Sequence, residues 1–464
     1  MPVNEMDLTI IILAMSVTVL LALLYLRIGF RRAQTGAFLP DFYLFGILLY
    51  ALGSTFIYLI EENSKAIDLV VMSWVSLDSA ILGSIVFIVL FGNHYRRFSF
   101  NRYVHGFGTT SIEKSAVYFG LIVSVLVCIA FMYFVFSNEV VGALFSSISM
   151  SGESSLLDAR KAITSGSEGY FAPGFVKQFR DNLIPIFLIA LMAINSKQEG
   201  VRYYKLIFVC VVLVALTAMA IAGVRSNIVL FLLSLFVARS YIIKSGAQLG
   251  AKRRGLGKGS VLLSIFLVLL FYGLLTAFLG RAKEGDSLLV TALNIVPNLL
   301  QRVFLAAPAE NIITYSYWGT IGPTFGQSWL NDLSSILPGV SPSGLSNQLH
   351  YLRGGSEQGN SPLGLPADVW FAWGWVGILL VPLIYSIVLG VFDMLLLSRS
   401  SPLFFGAKMF MIFALLKIYS PFGFLLYGGG AVGILIVFVT VVRASKYKFG
   451  GDREHLGVTF IGTR

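Results

Sequence analysis

Charge is scarce in this chain and cysteine scarcer. Charged residues make up 12% of its 464 positions, and only two positions are cysteine. Soluble domains carry about 25% charged residues, so a soluble protein built from several folded units is excluded. Cys128 and Cys210 each fall inside an apolar run, which argues against a disulfide framework and a thiolate metal site. There is no Asp-x-Asp pair, no cluster of His and Cys ligands and no nucleophile elbow, so metal-free chemistry without a cofactor is expected. Gly255-Leu-Gly257-Lys-Gly259 has the glycines of a phosphate cradle, but no strand precedes it and the Walker spacing is absent; it reads as a linker. No internal repeat stands out, and no base precedes the first apolar run, as a cleavable signal peptide would require.

What the chain has in abundance is apolar sequence, 56% of all residues. A membrane-crossing helix needs about 20 mostly apolar residues. Runs of that kind occur at 8–26, 42–60, 67–91, 115–136, 179–195, 206–223, 227–243, 261–280, 368–397, 403–419 and 424–443. The expected fold is therefore an all-α polytopic membrane protein, one transmembrane domain over 1–464 with about eleven spans. Two larger loops interrupt it, at 137–179 and 281–367. Pro185, Pro421 and Gly428–Gly430 predict kinked or broken helices.

The formal charge is +11, but its distribution speaks for a membrane rather than nucleic acid. With the N-terminus outside, most of the 34 Lys and Arg residues fall on the inner side, including Arg27, Arg31, Arg32, Arg96, Arg97, Lys252, Arg253, Arg254 and Lys408. The bases left outside are Lys65, Arg160, Lys161, Lys177, Arg180, Arg225, Arg281, Lys283, Arg302, Arg353 and Lys417. Nearly all lie in the two large loops or in the tight turn Gly223-Val-Arg225-Ser-Asn227. Arginine at a helix end also snorkels to headgroups, but Arg160, Arg302 and Arg353 sit well inside loops. Their concentration on the face where positive charge is normally scarce points to a bound anion. A guanidinium at a poorly hydrated turn such as Arg225 suits a phosphate, which it grips through two parallel hydrogen bonds.

The loop at 281–367 adds Glu310, His350 and, at its edge, Asp368, among the aromatics Tyr315, Tyr317, Trp318, Phe325, Trp329 and Tyr351. Pro308, Pro323, Pro338, Pro342, Pro362 and Pro366 predict short helices and fixed turns there. Each titratable group has an ordinary reading beside a catalytic one. Glu310 could pair with an arginine, His350 could be a loop histidine, and Asp368 could favour the dipole of the span it begins. Asp78 stands in the middle of the third span, where neighbouring serines could satisfy it.

Several short motifs recur in a familiar order: Arg160 with Gly169, Gly223-x-Arg225-x-Asn227, and Arg302 with Pro308-x-Glu310-Asn311. The turns at Leu337-Pro338-Gly339 and Pro342 follow, then Asp368 ahead of Trp373-Gly374-Trp375-Val-Gly377. Over roughly 150–380 the chain resembles the Wzy-type O-antigen, or oligosaccharide repeat-unit, polymerases, including the enterobacterial common antigen branch. That resemblance implies a GT-C-like glycosyltransferase in the bacterial inner membrane with its active site facing the periplasm. Its substrates would be undecaprenyl-diphosphate-linked oligosaccharides as donor and acceptor, and a chain-length regulator would be a protein partner. Arg225, Arg302, Arg281, Arg160, Arg180 and Arg353 would hold the lipid diphosphates, and Glu310, His350 or Asp368 would take the acceptor proton. The O-antigen ligases are the neighbouring alternative, but Val229 and Ser361 stand where their pattern has leucine and glycine. A lipid-linked oligosaccharide flippase is the other alternative.

Overall fold

The computed structural model describes residues 5–30, 38–61, 66–95, 111–137, 176–196, 203–222, 225–247, 305–315, 322–334, 345–352, 363–398 and 401–415, and every regular element among them is helical. The described part opens with four long helices, α1 (Glu5–Phe30), α2 (Leu39–Glu61), α3 (Ala66–Tyr95) and α4 (Ser111–Ser137). A π-helical turn (Gln178–Leu183) then leads into α5 (Ile184–Asn195), followed by α6 (Tyr204–Ile221) and α7 (Arg225–Ala247). Three short helices come next, α8 (Ala306–Tyr315), α9 (Gln327–Ser334) and α10 (Leu345–Leu352). The described part closes with α11 (Leu365–Ser398) and α12 (Pro402–Ala414).

Hydrocarbon offers backbone groups no partners, so an apolar run must satisfy its own N–H and C=O groups by coiling into a helix. Six of these helices are long and apolar enough to cross a membrane, over Met6–Ile28, Leu39–Ile60, Ile67–Asn93, Glu113–Ser137, Tyr204–Ile221 and Leu365–Leu397. Over its described residues, the chain is an all-helical membrane protein. Serines tolerated inside these helices bond back to their own turns, as Ser73 does to the Leu69 carbonyl and Ser84 to that of Ala80. The expected spans at 261–280 and 424–443 lie outside the described residues.

Side-chain contacts sort the helix ends onto two faces. Tyr58 near the end of α2 donates to Asp7 near the start of α1 at 2.9 Å. Tyr25, near the end of α1, donates to Asp41 at the start of α2. α1 and α2 therefore run antiparallel. The second part of α11 runs alongside α3 in the same sense, with Gly83 against Leu383 and Gly390 against Phe87. α12 runs back, and Gly406 packs on Ile186 of α5. Asn227 of α7 bonds to Asp181 just ahead of α5, so the starts of α5 and α7 lie together. The topology expected from sequence also puts the start of α1 on that face, called the loop-bearing face below.

Small residues set the spacing. A Cβ on Gly83 would lie 2.2 Å from the Leu383 carbonyl oxygen, and one on Gly406 would lie 2.3 Å from that of Ile186. Backbone meets backbone at both places, the packing that lipid-embedded helices rely on in place of a hydrophobic drive. α5 and α12 are buried along almost their whole length and form the centre of the bundle, while α1 and α4 keep one side open.

α11 departs most from expectation. Gly374 has φ 63°, ψ −152°, and the helix breaks there. A Cβ on Gly377 would lie 2.7 Å from the carbonyl oxygen of Val369, eight residues earlier. Eight residues of straight helix span about 12 Å, so the chain folds back on itself at Gly374. Residues 365–373 form a short first arm and 375–398 the membrane-crossing second arm. The first arm starts deep: Gly364 abuts the ring of Tyr50, halfway along α2. Asp368 therefore does not head a span, as the apolar run 368–397 suggested, but sits inside a buried half-helix. Hydropathy joins the two arms because only one glycine separates them.

Candidate functional site

Two polar nodes lie at or below the loop-bearing face. The first is built on the π-helical turn. Pro185 has no N–H to return to the carbonyl four residues back, and the turn widens so that the Ile184 N–H reaches Phe179, five residues back. The wider turn carries three consecutive polar residues, Arg180, Asp181 and Asn182, into the interior. Arg180 and Asp181 are each 6% exposed. The guanidinium forks onto the carboxylate, Nε to Oδ1 at 2.6 Å and an Nη to Oδ2 at 3.0 Å. It also lies 5.4 Å from the centre of the Phe131 ring, a cation–π contact. Asn227 donates to the same Oδ2 at 2.7 Å. The start of α7 is thereby tied to Asp181, and Arg225 stands as the first residue of that helix.

Arg180 and Asn227 are thus brought together although 47 positions apart in numbering, and Asp181, which the sequence reading did not single out, is the residue that joins them. Its signal was the Arg-Asp-Asn run just ahead of a proline at a helix start. Arg180, expected among the diphosphate-holding arginines, has its charge matched by the adjacent carboxylate.

The second node surrounds the half-helix. Asp368 is 1% exposed, and the Trp329 indole donates to its Oδ2 at 3.0 Å. The arm ends at Gly374, so its last carbonyls need outside donors. Thr324 N–H bonds to the Phe371 carbonyl at 2.7 Å and Gly326 N–H to that of Ala372 at 2.8 Å. The Thr324 hydroxyl adds a third bond, 3.1 Å from the Phe371 oxygen. At the other end of the arm, Asn311 Oδ1 accepts from the Gly364 N–H at 3.4 Å. Glu310, next to Asn311, is partly exposed on α8, which packs on α2 and α3. Pro308 lies near the start of α8, just after a π-helical residue at 305. His350 lies on α10, between the buried Leu349 and the exposed Tyr351. Arg160, Arg281, Arg302 and Arg353 lie outside the described residues.

A third polar group lies toward the opposite face. Lys408 Nζ is 2.8 Å from Asp393 Oδ1, and both side chains are 0% exposed. Tyr95 donates to the other carboxylate oxygen at 2.6 Å. Lys408, expected as an inner-loop base, is instead an intramembrane ion-pair partner. Asp393 precedes the end of α11 by about as much as Lys408 follows the start of α12, which was the readable signal. Asp78 also differs from expectation: its partner is Thr18 of α1, at 2.6 Å, and not a neighbouring serine.

Among the described residues no three His, Cys, Asp or Glu side chains gather as metal ligands would. Compared with known proteins, the chain matches no family model, no curated protein and no solved structure.

Proposed function

We propose that the protein is a GT-C-type glycosyltransferase of the bacterial inner membrane, with about eleven spans and its loop-bearing face toward the periplasm. It joins undecaprenyl-diphosphate-linked oligosaccharide repeat units into O-antigen or a related surface polysaccharide. The observation that carries the reading is the bond from Asn227 to Asp181. It anchors the start of α7, whose first residue is Arg225, at the face to which the sequence assigns the other outer arginines.

In the reaction, the acceptor hydroxyl oxygen bonds to the donor's anomeric carbon as the bond from that carbon to the lipid diphosphate breaks. The proton passes to a general base, and undecaprenyl diphosphate leaves with the electron pair. Arg225, with Arg302, Arg281, Arg160 and Arg353, meets the charge that develops on the leaving diphosphate. Burial divides the remaining roles. Arg180 and Asp181 hold Arg225 in place, and Asp368 holds Trp329. Glu310, partly exposed, takes the proton, with His350 as the other candidate.

The test is Arg225→Ala in cells that display the polysaccharide. Loss of chain extension with single repeat units retained on the lipid core supports the reading. Unchanged long chains, or a core bearing no repeat unit at all, counts against it, and the second outcome indicates a ligase. A flippase for the same lipids is favoured by one observation, the ion pair buried between α11 and α12. Extension of purified lipid-linked repeats without flipping machinery separates the two.

A further inference from the structure

The turn 324–326 is fixed by its bonds to the end of the half-helix, from Thr324 to Phe371 and from Gly326 to Ala372. Phe325 lies between these two anchored residues, with φ 49°, a backbone region that bulky side chains avoid. Its ring is 76% exposed. A rigid turn in an unfavourable backbone conformation therefore thrusts an aromatic ring outward. Leu330, on the next helix, is also exposed, while the polar Ser328 beside it is buried. Leu330 thus stands out on a side of α9 that it shares with the exposed Gln327, whereas a water-facing surface helix keeps its apolar residues inside.

The neighbours of this patch point to what covers it. The ring centres of Trp329 and Trp373 are 6.0 Å apart, and Gly326 abuts Trp373. Trp373 and Trp375 flank the fold-back at Gly374 and are both exposed. From there an exposed apolar stripe, Val376, Leu379, Leu380, Ile384 and Val388, runs down the second arm of α11. That stripe belongs to a membrane-crossing helix, so lipid covers it. Tryptophans at its upper end occupy the headgroup boundary, where amphipathic rings settle.

We propose that residues 322–334, which the sequence places in a polar extramembrane loop, form an aromatic lip immersed in the lipid leaflet at the loop-bearing face. Phe325 and Leu330 enter among the acyl chains. The partner is bilayer lipid, and the lip extends the lipid-facing stripe of α11 to within one side chain, Trp329, of Asp368. The indole of Trp329 faces Trp373 with its ring and Asp368 with its N–H, so it joins the lipid boundary to the buried carboxylate.

Two measurements decide it. In a Cys128→Ser, Cys210→Ser background, nitroxides at Phe325→Cys and Leu330→Cys are compared with one at Val376→Cys. The protein is held in phosphatidylethanolamine–phosphatidylglycerol nanodiscs. Collision with dissolved oxygen is expected to exceed collision with a nickel chelate by the same ratio at all three sites. A ratio at 325 and 330 matching that of a label in free solution overturns the proposal, as does shielding from both reagents, the mark of a protein partner. The unaltered protein gives the second readout. A phosphatidylcholine carrying a diazirine on its acyl chain is expected to mark the peptide spanning 322–334. Adducts confined to the membrane-crossing helices overturn the proposal.

Discussion

Replacing Asp181 by alanine separates two things that the buried carboxylate does. It neutralises Arg180, and it holds Asn227 two positions after Arg225. Both members of the pair are almost fully buried, with forked bonds of 2.6 and 3.0 Å. Removing one partner of such a pair leaves an uncompensated interior charge and costs about 3–5 kcal/mol. Losing the Asn227 bond adds about 1 kcal/mol. Against a typical total of about 5–15 kcal/mol, that is a large fraction of the stability. Substituting both residues, as Arg180→Met with Asp181→Leu, removes the stranded charge. The double variant is expected to recover most of the lost stability. It does not restore the bond to Asn227, so Arg225 stays unanchored. Thermal unfolding in detergent together with the length distribution of polysaccharide in cells reads both effects. The single variant is expected to lose stability and chain extension, the double variant chain extension alone. Wild-type melting of Asp181→Ala would refute the buried pair, and long chains from the stable double variant would refute the anchoring role.

Other outcomes follow from the same geometry. Lys408→Met strands the Asp393 carboxylate and is expected to destabilise the protein by about 3–5 kcal/mol, most of it recovered in a double variant with Asp393→Leu; equal melting of the two variants contradicts this. Gly83→Val forces a side chain onto the Leu383 carbonyl, 2.2 Å from where its Cβ would stand. Overpacking of this kind costs about 1–3 kcal/mol, so its melting temperature should fall clearly below that of wild type. Trp329→Phe keeps the ring but withdraws the donor from Asp368, a loss of about 1–3 kcal/mol for a buried acceptor; loosened exchange protection in the Thr324–Gly326 turn would register it. Reporter fusions within 322–334 are expected outside the cytoplasm and fusions just after Ala247 inside it. The reverse pattern removes the basis for an anion site on the outer face.

Hydropathy alone located the bundle. The apolar runs at 8–26, 42–60, 67–91 and 115–136 fall within α1 to α4, because a run of about 20 apolar residues has only one way to satisfy its backbone in lipid. The details it missed depend on three-dimensional neighbours. The fold-back at Gly374 was invisible because both arms are apolar, and only the approach of Gly377 to Val369 reveals it. Lys408 reads as a loop base until Asp393 is seen beside it. Within the candidate site, the sequence flagged Arg225, Arg180, Glu310 and Asp368 by type and sidedness. It did not show that Asp181 joins Arg180 to Asn227, or that Trp329 holds Asp368, since those pairings span 46 and 39 positions.

The most direct measurement reconstitutes the purified chain in liposomes with undecaprenyl-diphosphate-linked oligosaccharide and no other protein, and follows product length by gel. Wild type is expected to yield a ladder of extended glycans with release of undecaprenyl diphosphate, while Arg225→Ala, inserted normally, yields single units only. A wild-type reaction that leaves every oligosaccharide at its starting length, or an equal ladder from Arg225→Ala, would contradict a sugar-transfer site built around that arginine.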